Sequence, residues 1–166
     1  MRAGFERAAG LTDAIRHAAA LSPQTLIFDV EPLVAYWDSG QDVLDRGIAL
    51  VLREVAAVPG VRVVCFATNS ARRPSREPQG GGPRVVYIAL AGKPLRTAAY
   101  RDFPRPGVMI GDQVATDGVL ARRLGYAFVL VDPRPQDVPP GPRLLGAWGR
   151  LLRPLLFAGS GGQGAA

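Results

Sequence analysis

With 166 residues and 48% hydrophobic content, the chain is expected to form one domain, long enough to bury a single sizeable core. Its net charge of +6 suits phosphorylated substrates, anionic lipid or nucleic acid, yet the arginines are not interleaved with aromatics, so nucleic-acid binding is not expected. No apolar stretch is long and uncharged enough to span a bilayer, Arg2, Glu6, Arg7 and Asp13 interrupt any signal-like core, and the lone Cys65 rules out an internal disulfide, so a cytoplasmic location is the expectation.

Residues 3–20 read as a helix on the spacing of Phe5, Ala8, Ala9, Leu11, Ile15 and Ala18, with Gly10 weakening its middle and Ser22-Pro23 stopping it. Strands and helices then alternate: strand 25–30, helix 41–57, strands 61–67 and 84–89, helix 93–103, strand 107–111, helix 115–124 and strand 127–131. Such alternation predicts an α/β, Rossmann-like three-layer sandwich with a mainly parallel central sheet joined by right-handed crossovers. The segment 72–83 is rich in Arg, Pro and Gly, carries no apolar periodicity and reads as a mobile loop. A proline-rich stretch over 133–142 precedes a last apolar helix near 143–157. The expected division is an N-terminal helix over 1–22 packed on a domain of 23–158, with a flexible tail over 159–166.

The chemistry-bearing residues fall at element ends. Thr25-Leu26-Ile27-Phe28 ends in Asp29-Val30-Glu31, and Val108-Met109-Ile110 ends in Gly111-Asp112 with Asp117 following. Open parallel sheets keep their sites at the carboxyl ends of their strands. Between these two runs lie Thr68-Asn69-Ser70, closing an apolar run, and Lys93. An acid, a hydroxyl, a lysine and an acid pair suit Mg²⁺-dependent phosphoryl transfer, which needs an in-line carboxylate, a cation for the equatorial oxygens and fixed donors. Asp29 is the candidate nucleophile and one metal ligand. The backbone carbonyl of Glu31 and Asp112 are further ligands, and Asp117 orients metal-bound water. Thr68, through its hydroxyl and backbone N–H, and Asn69 are candidate phosphate donors, and Lys93 adds positive charge that also restrains Asp29.

The ordered set Phe28-Asp29-Val30-Glu31, Ala67-Thr68-Asn69-Ser70, Gly92-Lys93-Pro94-Leu95 and Gly111-Asp112-Gln113 through Thr116-Asp117 resembles the four motifs of the haloacid dehalogenase (HAD) superfamily. It is most similar to the small capless branch that includes phosphatidylglycerophosphate phosphatase-like proteins (subfamily IIIA), over about residues 25–132. The resemblance implies a Rossmann-like fold, Mg²⁺ dependence and an aspartyl-phosphate intermediate on Asp29. The first motif departs from the family's Asp-x-Asp-x-Thr: Glu31 stands where the acid/base aspartate would, followed by Pro32 and Leu33. Glu31 sets its carboxylate one methylene further out, and a displacement of about 1 Å can cost roughly a hundredfold in rate.

Several readings remain open at this level. The protein is either a phosphatase using Glu31 as an imperfect acid/base or a non-catalytic HAD-like scaffold that binds phosphate or a protein partner. With no cap interval between Val34 and Gly60 or between Ala71 and Gly92, an open site is expected, suited to large or lipid-borne phosphate esters or to a small substrate enclosed by a neighbouring subunit. The segment 143–157 either covers the sheet or lies on an anionic membrane. Asp117 serves as a helix cap or a site residue, and Arg72 and Arg73 meet an anionic substrate or only solvent.

Overall fold

The computed structural model describes residues 4–78 and 82–132, together with Phe157. Within them a six-stranded sheet is built from β1 (Phe5–Ala8), β2 (Thr25–Asp29), β3 (Val63–Ala67), β4 (Arg84–Ile88), β5 (Gly107–Gly111) and β6 (Ala127–Val131). The spatial order is β1-β6-β5-β2-β3-β4, and every neighbouring pair is parallel. The three helices are α1 (Leu11–Ala20), α2 (Gln41–Val55) and the short α3 (Val119–Leu124).

Every residue of β2, β3 and β5 is buried, because a parallel sheet sheathed on both faces leaves neither side of its inner strands to water. Alternate residues therefore belong to two cores. Leu26, Phe28, Val64, Phe66, Val108 and Ile110 face Ala14, Ile15 and Ala18 of α1 and Leu44, Ile48, Val51 and Val55 of α2. Ile27, Cys65, Met109 and Phe128 face Leu120, Ala121 and Leu124 of α3, with Tyr100, Phe103 and Phe157 completing that layer. The apolar positions of α2 recur at i, i+4, i+7 and i+11, the stripe that lets one helix face lie on a sheet. The result is a Rossmann-like three-layer α/β arrangement with no separate cap domain among the described residues.

Chain direction explains where a site can form. From β2 the chain moves outward through β3 to β4, then returns to place β5 on the other side of β2. The carboxyl ends of β2 and β5 thus flank the point where strand order reverses, where adjacent connections diverge and leave a crevice.

Three expectations are corrected. The helix expected over 3–20 is in its first part the edge strand β1, paired with β6 from Phe5 opposite Phe128 to Ala8 opposite Val131. Gly10, extended at φ −175° and ψ 179°, separates it from α1, and Phe5 earns its place by packing against Phe128 and Phe157. The helix expected over 93–103 is a turn followed by a single 3₁₀ turn, Ala98–Tyr100. Leu95 and Arg96 both donate to the Gly92 carbonyl, and Pro94 has no N–H with which to extend a helix. The helix expected over 115–124 begins as a π-helical turn, Val114–Gly118.

The final helix near 143–157 and the tail over 159–166 lie outside the described residues, except Phe157, which is buried with its ring 5.0 Å from that of Phe5. No helix among the described residues is long and apolar enough to cross a membrane.

Candidate active site

Register brings the predicted residues to one edge. Asp29 is level with Ala67, so Thr68 leaves β3 beside it, while Phe28 is level with Ile110, two residues before Asp112. Carboxylate oxygens of Asp29, Asp112 and Asp117 all lie within 4.8 Å of one another. Lys93 Nζ stands between two of them, 2.7 Å from Asp29 Oδ1 and 2.8 Å from Asp117 Oδ1. Asp29, Asp117 and Lys93 are all buried.

The local chain path explains how Asp117 and Lys93 reach this centre. After β5, Asp117 donates its backbone N–H to the Gln113 carbonyl, and its Oδ2 accepts the Gln113 N–H at 3.3 Å. Asp117 therefore caps its own turn with one oxygen and holds Lys93 with the other. Gly111 makes the approach possible: any Cβ there would collide with the Asp117 carboxyl. Lys93 is fixed by Asn69, whose Oδ1 accepts the Lys93 N–H at 2.8 Å and whose Nδ2 donates to the Lys93 carbonyl at 3.1 Å. Gly92, at φ +64°, supplies the left-handed step that turns the chain into this clamp.

Electrostatics set the character of the centre. Three carboxylates crowd around the ammonium of Lys93, leaving an excess of negative charge when all are ionised. Burial, with repulsion from Asp117, pushes Asp112 up to about 7. Burial likewise raises Asp29 well above the usual carboxylate range, aided by Asp117 and opposed by Lys93. For Lys93, burial works against the charged form, but Asp117 and Asp29 outweigh it and hold the ammonium above the ordinary lysine range. Asp112 Oδ1 is buried without a hydrogen-bond partner among the described residues. A buried, unsatisfied carboxylate oxygen beside two more carboxylates matches the oxygen-only donor set that Mg²⁺ prefers, so the residues present fit a divalent cation.

The other expected residues make the following contacts. The Thr68 backbone N–H, expected to face a phosphate oxygen, instead donates to the Ile88 carbonyl at 3.0 Å and continues the β3–β4 ladder. The Thr68 hydroxyl donates to Glu31 Oε2 at 2.5 Å, and Ser70 Oγ donates to Glu31 Oε1 at 3.2 Å. The Glu31 carboxylate is thus seated on two hydroxyls and is not one of the three clustered acids. The amide of Asn69 is occupied by Lys93. Arg72 turns away to the loop after β2, donating to the carbonyls of Tyr36, Ser39 and Gly40, which ties segment 72–78 to its neighbour. Ser75 N–H on Asp45 Oδ1 adds to this tie, and the hydrogen bonds from Ser75 hold the Asp45 carboxyl below its usual range.

Sequence reasoning quoted Ser70 and Gly111 within its motifs but gave neither a role of its own. Ser70 sits two residues after Thr68 and donates its own N–H to Thr68 Oγ1 at 2.9 Å, a local turn that a Thr-x-Ser at a strand end can signal. Gly111 stood only as part of a motif, and the folded return of Asp117 shows why a side chain is forbidden there. Gly111→Ala is therefore expected to destabilise the protein by about 1–3 kcal/mol, the usual cost of overpacking, and to displace Asp117 from Lys93. Urea unfolding checks the first effect, and a weakened response of the melting temperature to Mg²⁺ checks the second.

The chain matches no protein-family model, no curated protein and no solved structure.

Proposed function

We propose that the protein is a Mg²⁺-dependent phosphatase that hydrolyses a phosphate monoester through an aspartyl-phosphate on Asp29. The observation that carries this reading is the buried cluster of Asp29, Asp112 and Asp117, bridged by Lys93 at the point where strand order reverses. Asp29 and Asp112, with the carbonyl of Glu31, would hold the metal, and Asp117 would orient its water. When bound, Mg²⁺ neutralises charge on the equatorial phosphoryl oxygens.

The protein's own groups account for the rest. Lys93 fixes Asp29 Oδ1, which leaves Oδ2 to attack phosphorus as the bond to the ester oxygen breaks. The leaving oxygen takes a proton from the Glu31 carboxyl. Glu31 then accepts a proton from the water that attacks the phosphorus of phospho-Asp29, which frees Asp29 and releases inorganic phosphate. Tyr36, Leu90 and Leu95, exposed on loops at this edge of the sheet, offer apolar surface to the organic part of a large ester.

A second reading, the non-catalytic scaffold, is favoured by one observation. Both oxygens of Glu31 and the N–H of Thr68 are already bonded within the protein, so these groups also serve a purely structural role. A panel of phosphate esters assayed with and without Mg²⁺, beside Asp29→Asn, separates the two. The enzyme reading expects turnover that needs both Mg²⁺ and Asp29, with activated aryl phosphates cleaved faster than alkyl phosphates. Turnover of no ester in the wild type, or equal turnover in Asp29→Asn, rejects it.

A further inference from the structure

We propose that Glu31 is an internal competitor of the substrate phosphate: its carboxylate, seated on the Thr68 and Ser70 hydroxyls, occupies the anion subsite and must swing away before phosphate can bind there. The inference rests on the phosphatase reading and concerns how that same site is controlled.

The seat is a built one. Thr68 is fully buried and Glu31 nearly so. Thr68 Oγ1 bonds Glu31 Oε2, Ser70 Oγ bonds Glu31 Oε1, and the two hydroxyl oxygens stand 2.9 Å apart. Backbone N–H groups complete the arrangement: that of Ser70 donates to Thr68 Oγ1, and that of Arg72 donates to Ser70 Oγ at 3.2 Å. Each hydroxyl carries one proton, and when both protons point at the carboxylate neither is left for another acceptor. Two hydroxyls converging on two oxygens of one anion would also suit a phosphoryl group, whose oxygens are likewise negative and acceptor-only.

Phosphate and the seated carboxylate therefore exclude one another twice over, by sharing the same donor protons and by like-charge repulsion in a buried site. The extra methylene of Glu31 contributes here, since it carries the carboxylate outward from β2 to the residues that end β3. Swinging out would release the Thr68 hydroxyl to phosphate, and the freed Glu31 carboxylate, once it has taken up a proton from solvent, could pass that proton to the leaving oxygen. Ser70 acts as a positioning residue in this scheme, because it holds the second oxygen of the seated carboxylate.

Binding of inorganic phosphate in the presence of Mg²⁺, measured by calorimetry on the full chain, tests the proposal with Glu31→Gln, Glu31→Ala, Ser70→Ala and Thr68→Val. Removing a charged hydrogen-bonding competitor should tighten phosphate binding by about tenfold to a hundredfold in Glu31→Ala, and also, though less, in Glu31→Gln. Ser70→Ala should tighten it modestly, whereas Thr68→Val should weaken it. Circular dichroism confirms that each variant is folded, and Glu31→Gln keeps the bulk of the side chain should Glu31→Ala fail to fold. A merely structural Glu31 predicts the opposite sign, because loosening the seat would then weaken phosphate binding. Wild-type binding that is unchanged or weakened in both Glu31 variants overturns the competitor role while leaving the phosphatase reading in place. Phosphate binding in no variant, the wild type included, overturns both.

Discussion

Lys93→Met is expected to destabilise the protein by about 3–5 kcal/mol, because breaking a buried ion pair from one side leaves its partner charge buried and uncompensated. Here the loss is shared by two partners, since the ammonium lies 2.7 Å from Asp29 and 2.8 Å from Asp117. Methionine keeps much of the volume, so a cavity contributes little and the effect is electrostatic. The carboxylates left behind escape by taking up protons. The cost should therefore be largest at alkaline pH and shrink as the pH falls. Mg²⁺ should restore part of the lost stability by supplying a different cation. Urea unfolding at pH 8 and pH 6, with and without Mg²⁺, measures all three effects. A loss below about 1 kcal/mol at pH 8, the range of an exposed pair, would show that Lys93 does not hold the cluster together.

Asp112→Asn should act in the other direction. Burial and the neighbouring Asp117 raise the folded-state Asp112 to about 7, from an ordinary carboxylate value near 3.8 in the unfolded chain. A folded carboxyl that binds protons more tightly than the unfolded one penalises the folded state at pH values above both, and the penalty fades as pH falls through 7 toward 4. The metal-free wild type should therefore melt higher at pH 6 than at pH 8. Asp112→Asn, which removes the charge, should stabilise the metal-free protein at pH 8 by at least about 1 kcal/mol, or roughly 2–4 °C for a chain of this length. The same substitution should abolish the rise in melting temperature expected of the wild type if Mg²⁺ binds only its folded state. Gaining stability while losing metal response is the signature of a carboxylate held for chemistry rather than for folding. A variant that melts lower at pH 8, or that retains the full Mg²⁺ response, contradicts this account of Asp112.

Much of the architecture was legible in the chain. The apolar runs Leu26–Phe28, Val63–Ala67 and Val108–Ile110, closed by Asp29, Thr68 and Gly111-Asp112, read as inner strands of a sheathed parallel sheet, and every residue of the three strands is buried. The placement of Asp29 and Asp112 at strand ends followed from the same pattern. The spacing of Leu44, Ile48, Val51 and Val55 likewise fixed α2. These features are local, and sequence periodicity records them.

What only the tertiary structure decided were the contacts between distant segments. The residues around Phe5 have spacing compatible with a helix, yet they form an edge strand because β6 offers unpaired backbone groups and Phe128 and Phe157 offer a surface for the ring. Lys93-Pro94 reads as a helix start, but the side chain of Asn69 claims the Lys93 backbone and ends regular structure there. Glu31, one methylene longer than an aspartate, could be placed by sequence near the acids, whereas the fold seats it on Thr68 and Ser70. Sequence alone thus determined the inner strands and the carboxylates they carry, because burial and periodicity act within a segment. The partner of each polar group was decided by the fold, because a hydrogen bond goes to whichever donor or acceptor the packed chain brings within about 3 Å.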